Sequence, residues 1–209
     1  MADEESAIST EPDGEIRCGY VALLGAPNVG KSTLLNRLVG AKVSIVTPKV
    51  QTTRNRVLGI AVTSGDQIVY VDTPGIFTPQ KRLDRAMVAA AWGGAADADV
   101  VVVLADAKRG LDADSGRIVA GLAKAGRRAL LALNKIDLVR RETLLQLSER
   151  FNKEGAFEET FMISALGGDG VDTLLEAIRA RLPAGPWLFP EDQLTDMPQR
   201  LMAAEVTRE

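Results

Sequence analysis

The chain has 209 residues, of which 46% are hydrophobic and 25% charged, and its formal net charge is −3. This length suits one α/β domain, and the acidic balance argues against a bare nucleic-acid-binding domain, which is normally basic. The sequence contains no histidine, which excludes histidine triads, histidine general bases and histidine metal ligands. The single cysteine, Cys18, excludes an internal disulfide and fits a reducing compartment.

Strand-like and helix-like stretches alternate after an acidic leader at residues 1–16, which we expect to be disordered and which lacks the pattern of a signal peptide. The predicted strands cover residues 19–26, two segments within 55–75, 99–107, 128–138 and 159–166. The predicted helices cover residues 31–40, 81–96, 112–126, 140–155 and 171–183. This order predicts an α/β domain with a mostly parallel six-stranded sheet and helices on both faces. No apolar run reaches the length of a membrane span.

The segment GAPNVGKS follows the first strand, opens the first helix and fits the pattern G-x-x-x-x-G-K-[ST]. Its two glycines permit torsions that aim successive N–H groups at one point, where the positive end of the helix also lies. Lys31 adds charge for the β- and γ-phosphates, and the Ser32 hydroxyl is a hard ligand for Mg²⁺. A plain glycine-rich turn is the alternative. The predicted phosphate-site residues are Gly25, Ala26, Pro27, Asn28, Val29, Gly30, Lys31, Ser32 and Thr33.

A second candidate segment, DTPG, ends the strand IVYV at the edge where open α/β sheets bind ligands. We expect Asp72 to hold Mg²⁺ through water. Gly75 would offer its N–H to the γ-phosphate, and hydrolysis would break this hydrogen bond. The predicted nucleotide-binding residues here are Asp72, Thr73, Pro74, Gly75 and Ile76.

Two further segments predict recognition of guanine. Asp137, in NKID after the strand ALLAL, can accept from guanine N1–H and from the exocyclic amine, a pair of donors that adenine lacks. A carboxylate left unpaired against adenine would give discrimination of roughly 10⁴-fold. Asn134 would bind the base edge and brace the phosphate loop, and the Lys135 stem would cover the base. Ser164, Ala165 and Leu166 would place a backbone N–H on the guanine carbonyl oxygen.

The polar segment at residues 43–57 holds three threonines and several basic residues between the first helix and the hairpin. A threonine here could complete Mg²⁺ coordination when GTP is present and so order the segment. We favour Thr53, with Thr52 as the reserve. A solvated polar loop is the alternative.

With these segments in order, the chain resembles the translation-factor-related class of P-loop GTPases. Within that class it is similar to the Era family of bacterial ribosome-assembly GTPases, on the evidence of GAPNVGKSTLLN, PKVQTTR, YVDTPG, NKID, ISAL and FPEDQLTDMPQRLMAAEVTRE. The resemblance implies a three-layer, Ras-like P-loop NTPase domain at residues 17–183. It also implies a linker and the start of a truncated RNA-binding KH domain at residues 184–209.

The resemblance further implies what the full-length protein binds and does. It implies GTP and GDP as ligands, Mg²⁺ as cofactor, and small-subunit rRNA and the 30S subunit as partners in subunit assembly and rRNA maturation. It implies a cytoplasmic protein at the inner face of the cell membrane. We expect a monomer, and we expect this chain alone to bind GTP normally and RNA poorly.

The predicted catalytic residues are Lys31, Thr53, Gly75 and Asn28. Many similar GTPases place a water-orienting glutamine after D-x-x-G, whereas this chain has Ile76, which cannot hydrogen-bond water. Turnover should therefore be slow, on the order of 10⁻⁴ to 10⁻² s⁻¹. By resemblance, Asn28 would help bind K⁺ where other GTPases use an arginine; a loop-bracing asparagine is the alternative.

Three rival interpretations stay open at this point. An ATPase or small-molecule kinase would not need the carboxylate of Asp137. A non-hydrolysing nucleotide-binding scaffold is compatible with Ile76, although Lys31, Ser32 and Asp72 argue against it. Another ribosome- or tRNA-associated GTPase of the same class would share all these segments.

Overall fold

The computed structural model of the chain describes residues 15–44, 46, 57–77, 79, 82–155 and 157–196. Its strands are β1 Cys18–Gly25, β2 Val57–Thr63, β3 Asp66–Asp72, β4 Val100–Asp106, β5 Ala129–Asn134 and β6 Phe157–Ile163. Its helices are α1 Lys31–Val39, α2 Arg82–Ala96, α3 Ala113–Ala125, α4 Arg141–Glu154 and α5 Val171–Arg179, with a 3₁₀ turn at Ile136–Leu138.

The six strands form one sheet in the order β2-β3-β1-β4-β5-β6. Every neighbouring pair is parallel except β2 and β3, which form an antiparallel hairpin. The strand order reverses at β1, so the carboxyl ends of β1, β3, β4 and β5 meet at one edge, where open α/β sheets bind ligands. The predicted mostly parallel six-stranded α/β fold is confirmed.

Helices cover both faces of the sheet, because the strands are apolar on both sides. One hydrophobic cluster joins α1 and α5 to the sheet through residues such as Leu35 and Leu174. The other joins α2, α3 and α4 to the opposite face through residues such as Ala91, Ile118 and Phe151. Continuous valine and leucine runs in β4 and β5 fit this double burial.

Three predicted elements differ clearly from the observed ones at their carboxyl ends. The strand expected at 159–166 is β6, Phe157–Ile163. The strand expected at 128–138 stops at Asn134, since Lys135 adopts a left-handed φ of 65° and a 3₁₀ turn follows. Helix α5, expected to reach residue 183, ends at Arg179 and is followed by turn-type hydrogen bonds, the last of which joins Leu182 N–H to Arg179 O at 3.2 Å. Across the described ranges no helix combines the length and apolar character needed to cross a bilayer.

Residues 184–196, which we call the tail segment, pack against the β2–β3 hairpin. Gln67 binds this segment with both ends of its amide: Oε1 accepts from the N–H groups of Leu188 at 2.8 Å and Phe189 at 3.0 Å, and Nε2 donates to Phe189 O at 2.7 Å. Phe189 also packs on a small cluster that includes Ile60 and Val69. Of the expected disordered leader, residues 1–14 lie outside the described ranges, as do residues 197–209 of the expected KH start.

Candidate nucleotide-binding site

The phosphate loop joins the carboxyl end of β1 to the start of α1, and its backbone requires glycine at two places. Gly30, the N-cap of α1, has φ 103°, a conformation that side chains rarely adopt. A Cβ on Gly30 would lie 2.3 Å from Asn134 Nδ2, and one on Gly25 would lie 2.7 Å from Leu104 O. The N-cap residue Gly30 has no side chain that could bond to the first turn of α1. This helix end has the form of an anion site.

Lys31 supplies a buried positive charge next to this loop. Its side chain lies in the first turn of α1 and is 7% exposed. The Nζ donates to the carbonyl oxygens of Gly25 and Ala26, each at 3.1 Å. Burial lowers the pKa of Lys31 to about 8, and the charge of Asp72 opposes that shift. A desolvated ammonium beside the positive end of a helix favours a highly charged anion as ligand.

Asp72, at the end of β3, gathers two hydroxyl groups. Its Oδ2 accepts from Ser32 Oγ at 2.8 Å and from Ser44 Oγ at 2.9 Å. Asn36 fixes Ser44, because its Oδ1 accepts from the Val43 and Ser44 N–H groups at 2.9 and 2.8 Å. One carboxylate with two hydroxyls is a set of hard oxygen ligands, and it fits Mg²⁺.

The segment after β3 passes directly over the phosphate loop. A Cβ on Gly75 would lie 2.9 Å from the Pro27 backbone nitrogen, so this approach requires glycine. The Ile76 N–H donates to Gly25 O at 3.0 Å. The Ile76 side chain is 2% exposed and packs in the core on the side of α2 and α3. At this position only the backbone could contact a nucleotide.

Asn134, at the end of β5, links the phosphate loop to the candidate base-binding loop. Its Nδ2 donates to Val29 O at 2.8 Å, and its Oδ1 accepts from the Ala165 N–H at 2.8 Å. The side chain is 2% exposed, so both bonds are shielded from water and hold their geometry well. Asn134 therefore braces the phosphate loop.

Lys135 and Asp137 follow on the same turn. Lys135 Nζ donates to Asn28 O and to Asp106 Oδ2, each at 2.7 Å, so its stem crosses from β5 to the phosphate loop. Asp137 is exposed, and its Oδ1 accepts from Ser164 Oγ at 2.7 Å. The arrangement places an apolar stem and an oriented carboxylate next to each other, as recognition of a flat base with adjacent donors requires.

The loop after β6 is held from the opposite side by α1. Arg37 Nε donates to Ala165 O at 2.6 Å, and its Nη2 donates to Leu166 O. Ser164 Oγ also accepts from the Gly167 N–H at 3.0 Å. The Leu166 side chain is 79% exposed beside this loop.

The remaining residues predicted from the sequence lie in the same loops. Ala26, Val29, Thr73 and Pro74 are buried, Thr33 and Pro27 are half-buried, and Asn28 is exposed with φ 63°. Thr53 and the reserve Thr52 lie outside the described residues.

Sequence reasoning missed four contributors: Ser44 and Asn36 on the metal side, Asp106 under Lys135, and Arg37 behind the base-binding loop. Asp106 carried a detectable signal, since it ends an apolar strand as Asp72 and Asn134 do. The other three depend on contacts between segments that the sequence alone does not bring together.

Comparison with known proteins places this site in a family. Residues 20–135 match the family described as 50S ribosome-binding GTPase. GTPase Era of Afipia carboxidovorans is 60% identical over 193 residues, which are 92% of this chain and 63% of that protein. GTPase Era of Agrobacterium fabrum is 54% identical over 100% of this chain and 67% of its own length.

Solved structures give the same result. A crystal structure of Era in complex with MgGDPNP and nucleotides 1506–1542 of 16S ribosomal RNA matches with a TM-score of 0.87 and 42% identity, over 93% of this chain and 66% of that one. A variant of Aquifex aeolicus Era bound to GDP·AlF₄⁻ matches with a TM-score of 0.86 and 42% identity, over 92% of this chain and 66% of that one.

The chain therefore spans slightly less than two thirds of the Afipia relative, at 63% of its length. It matches that relative and the two Era structures across more than nine tenths of its own residues. On this evidence the chain belongs to the Era family of GTPases.

Proposed function

We propose that the chain binds GTP with Mg²⁺, hydrolyses it slowly and acts as a switch between its GTP and GDP states. The observation that carries the proposal is the pair of bonds made by Asn134, to Val29 O and from Ala165 N–H, each 2.8 Å. They join the candidate phosphate loop directly to the loop after β6, which carries the candidate base site. The membership in the Era family supports the same function.

The choice of guanine over adenine rests on Asp137. Its carboxylate keeps one oxygen engaged by Ser164 at 2.7 Å and stays exposed. Guanine offers two adjacent donors to such a carboxylate, whereas adenine would leave it facing no donor. This favours a GTPase over the rival ATPase or small-molecule kinase.

In the hydrolysis step, the residues of the site would position the nucleotide and neutralise phosphate charge, without forming a covalent bond to it. Lys31 and the loop amides would hold the β- and γ-phosphates and stabilise the charge that develops on them. Bound Mg²⁺, held by Ser32, Asp72 and in our proposal Thr53, would neutralise phosphate charge. The Gly75 N–H would detect the γ-phosphate.

Since the side chain of Ile76 is buried, it cannot orient water, and this supports slow turnover. K⁺ held with the help of Asn28 would raise the rate.

The test compares the chain with Lys31→Ala in nucleotide competition and phosphate release, with Lys124→Ala at an exposed position of α3 as the matched control. We expect GTP, but not ATP, to compete for a fluorescent GDP analogue. We expect phosphate release to fall at least 100-fold in Lys31→Ala, on the scale of losing a charge that stabilises the transition state, and to be normal in the control. Equal competition by ATP, or unchanged release in Lys31→Ala, would refute the proposal. Equal rates in Na⁺ and K⁺ would refute the part assigned to Asn28.

We further propose that the whole protein acts in small-subunit assembly and rRNA maturation, by binding small-subunit rRNA as the Era of the 16S complex does. Residues 17–183 would form the GTPase domain and 184–209 the link to a KH domain. The protein would be a cytoplasmic monomer that associates peripherally with the inner face of the membrane. We place the RNA contacts mainly in the part of the relatives that this chain does not cover, so tight binding of small-subunit rRNA by these 209 residues in a filter assay would contradict that placement.

A further inference from the structure

Two neighbouring residues of α1 hold the two flanks of the candidate site. Asn36 binds the backbone of Val43 and Ser44 on the metal side, with Oδ1 at 2.9 and 2.8 Å from their nitrogen atoms. Arg37 binds the loop after β6 on the base side, through the carbonyl oxygens of Ala165 and Leu166. The Asn36 bonds belong to the metal site of the proposed function, whereas that function assigns no role to the Arg37 bonds.

The Arg37 guanidinium sits tightly against the base-binding loop. Its Nε–Ala165 O distance is 2.6 Å. A Cβ on Gly168 would lie 2.8 Å from Arg37 Nη1, and Gly168 has φ 104°, so glycine leaves the room that the guanidinium fills. The forked, planar donor group binds two successive carbonyl oxygens at once, which a lysine cannot reproduce.

The position of this loop determines the position of the base-reading carboxylate. Ser164 Oγ accepts from the Gly167 N–H at 3.0 Å and donates to Asp137 Oδ1 at 2.7 Å. Any shift of the carbonyls that Arg37 holds therefore moves the hydroxyl that orients Asp137. Arg37 is exposed and touches polar backbone, so it contributes little to the hydrophobic core.

We propose that Arg37 is a positioning residue for guanine specificity: it fixes the loop after β6 and thereby the Ser164–Asp137 pair that reads the 2-amino group of the base. This inference rests on the proposed GTP-binding function. It assigns to helix α1, already the phosphate-binding helix, a second role in selecting the base.

The test uses inosine diphosphate, which lacks only the 2-amino group of GDP. Equilibrium affinities for GDP and IDP are measured for the unmodified chain, Arg37→Gln, Arg37→Lys and the control Arg150→Gln, at an exposed arginine of α4. We expect GDP affinity to fall about tenfold in Arg37→Gln, the effect of losing one net charge-assisted hydrogen bond. IDP affinity should fall less, so the GDP-to-IDP ratio shrinks, with Arg37→Lys showing an intermediate ratio.

Thermal unfolding of each variant shows whether it still folds, so that an effect on the position of the base-binding loop can be told from a loss of folding. A folded Arg37→Gln whose GDP-to-IDP affinity ratio is unchanged, because the two affinities change by equal factors, would overturn the inference. A purely structural role would weaken the binding of both nucleotides alike. An unmodified chain with no preference for GDP over ADP would instead refute the proposed function itself, so the two failures are distinguishable.

Discussion

Replacing Gly30 by alanine tests the connection between the phosphate loop and the base-binding loop. The new Cβ would lie 2.3 Å from Asn134 Nδ2, well inside van der Waals contact. The Asn134 amide would have to move and would release its 2.8 Å bond to Val29 O. The substitution therefore separates two parts of the site without touching any charged group.

The cost has two parts. A non-glycine residue at φ 103° costs on the order of 1–3 kcal/mol. Leaving the buried amide of Asn134 without its partner costs roughly a further 1–3 kcal/mol. Gly40, at the other end of α1, is a matched control: it has φ 72°, and a Cβ there would meet nothing within 4 Å. Gly40→Ala should therefore cost only the conformational part, about 1–2 kcal/mol.

Urea unfolding and GDP binding of the two variants measure these differences. We expect Gly30→Ala to be about 2 kcal/mol less stable than Gly40→Ala and to bind GDP at least tenfold more weakly, while Gly40→Ala binds normally. The double variant Gly30→Ala/Asn134→Ala should lose less stability than the sum of its single variants, since the clash disappears with the amide. Equal stability and equal GDP affinity of the two glycine variants would refute the reasoning.

Two other predictions follow from the charged groups. Because Lys31 has a pKa of about 8 in the fold against roughly 10.4 when unfolded, the unfolded chain binds more protons between these pH values. Nucleotide-free stability should therefore rise with pH from about 8 to 10, by a total on the order of 3 kcal/mol, and urea titrations should show no such rise in Lys31→Met. Asp137→Asn should lose GDP affinity by about 10³-fold or more. It should gain affinity for xanthosine diphosphate, because the asparagine amide offers a donor to the second carbonyl of xanthine. Unaltered GDP preference in competition assays would contradict the role of Asp137.

Much of the fold could be predicted because the residue pattern within a segment indicates the same strand, helix or turn that the structure contains. The valine run of β4 and the turn at Ser64 and Gly65 indicated strands and a hairpin, and both are observed. The site was predictable where each motif directly follows a strand, since parallel strands bring their carboxyl ends to one edge. That is why Asp72 and Asn134 could be assigned to one site from sequence alone.

The contacts that escaped prediction involve long sequence separations or weak local patterns. Arg37 reaches a carbonyl 128 residues further along the chain, and nothing near Arg37 in the sequence indicates that partner. The sequence predicts a linker at the start of residues 184–209, and the composition of the tail segment gives no sign that Gln67 and the hairpin bind it. Packing preferences of whole surfaces, rather than local residue patterns, decide such contacts.

The docked tail segment also affects how copies of this protein behave towards one another. Strand β2 is the outermost strand on its side of the sheet, and an open outer strand is a template for intermolecular pairing and aggregation. Here Ile60 N–H donates to Leu194 O at 2.8 Å, Leu58 N–H to Asp196 Oδ1 at 3.0 Å, and Thr195 Oγ1 to Leu58 O at 2.7 Å. The tail segment thus forms hydrogen bonds with backbone groups of β2 that a strand of another molecule could otherwise pair with. It also places the negative charge of Asp196 at the edge where such a strand would have to approach.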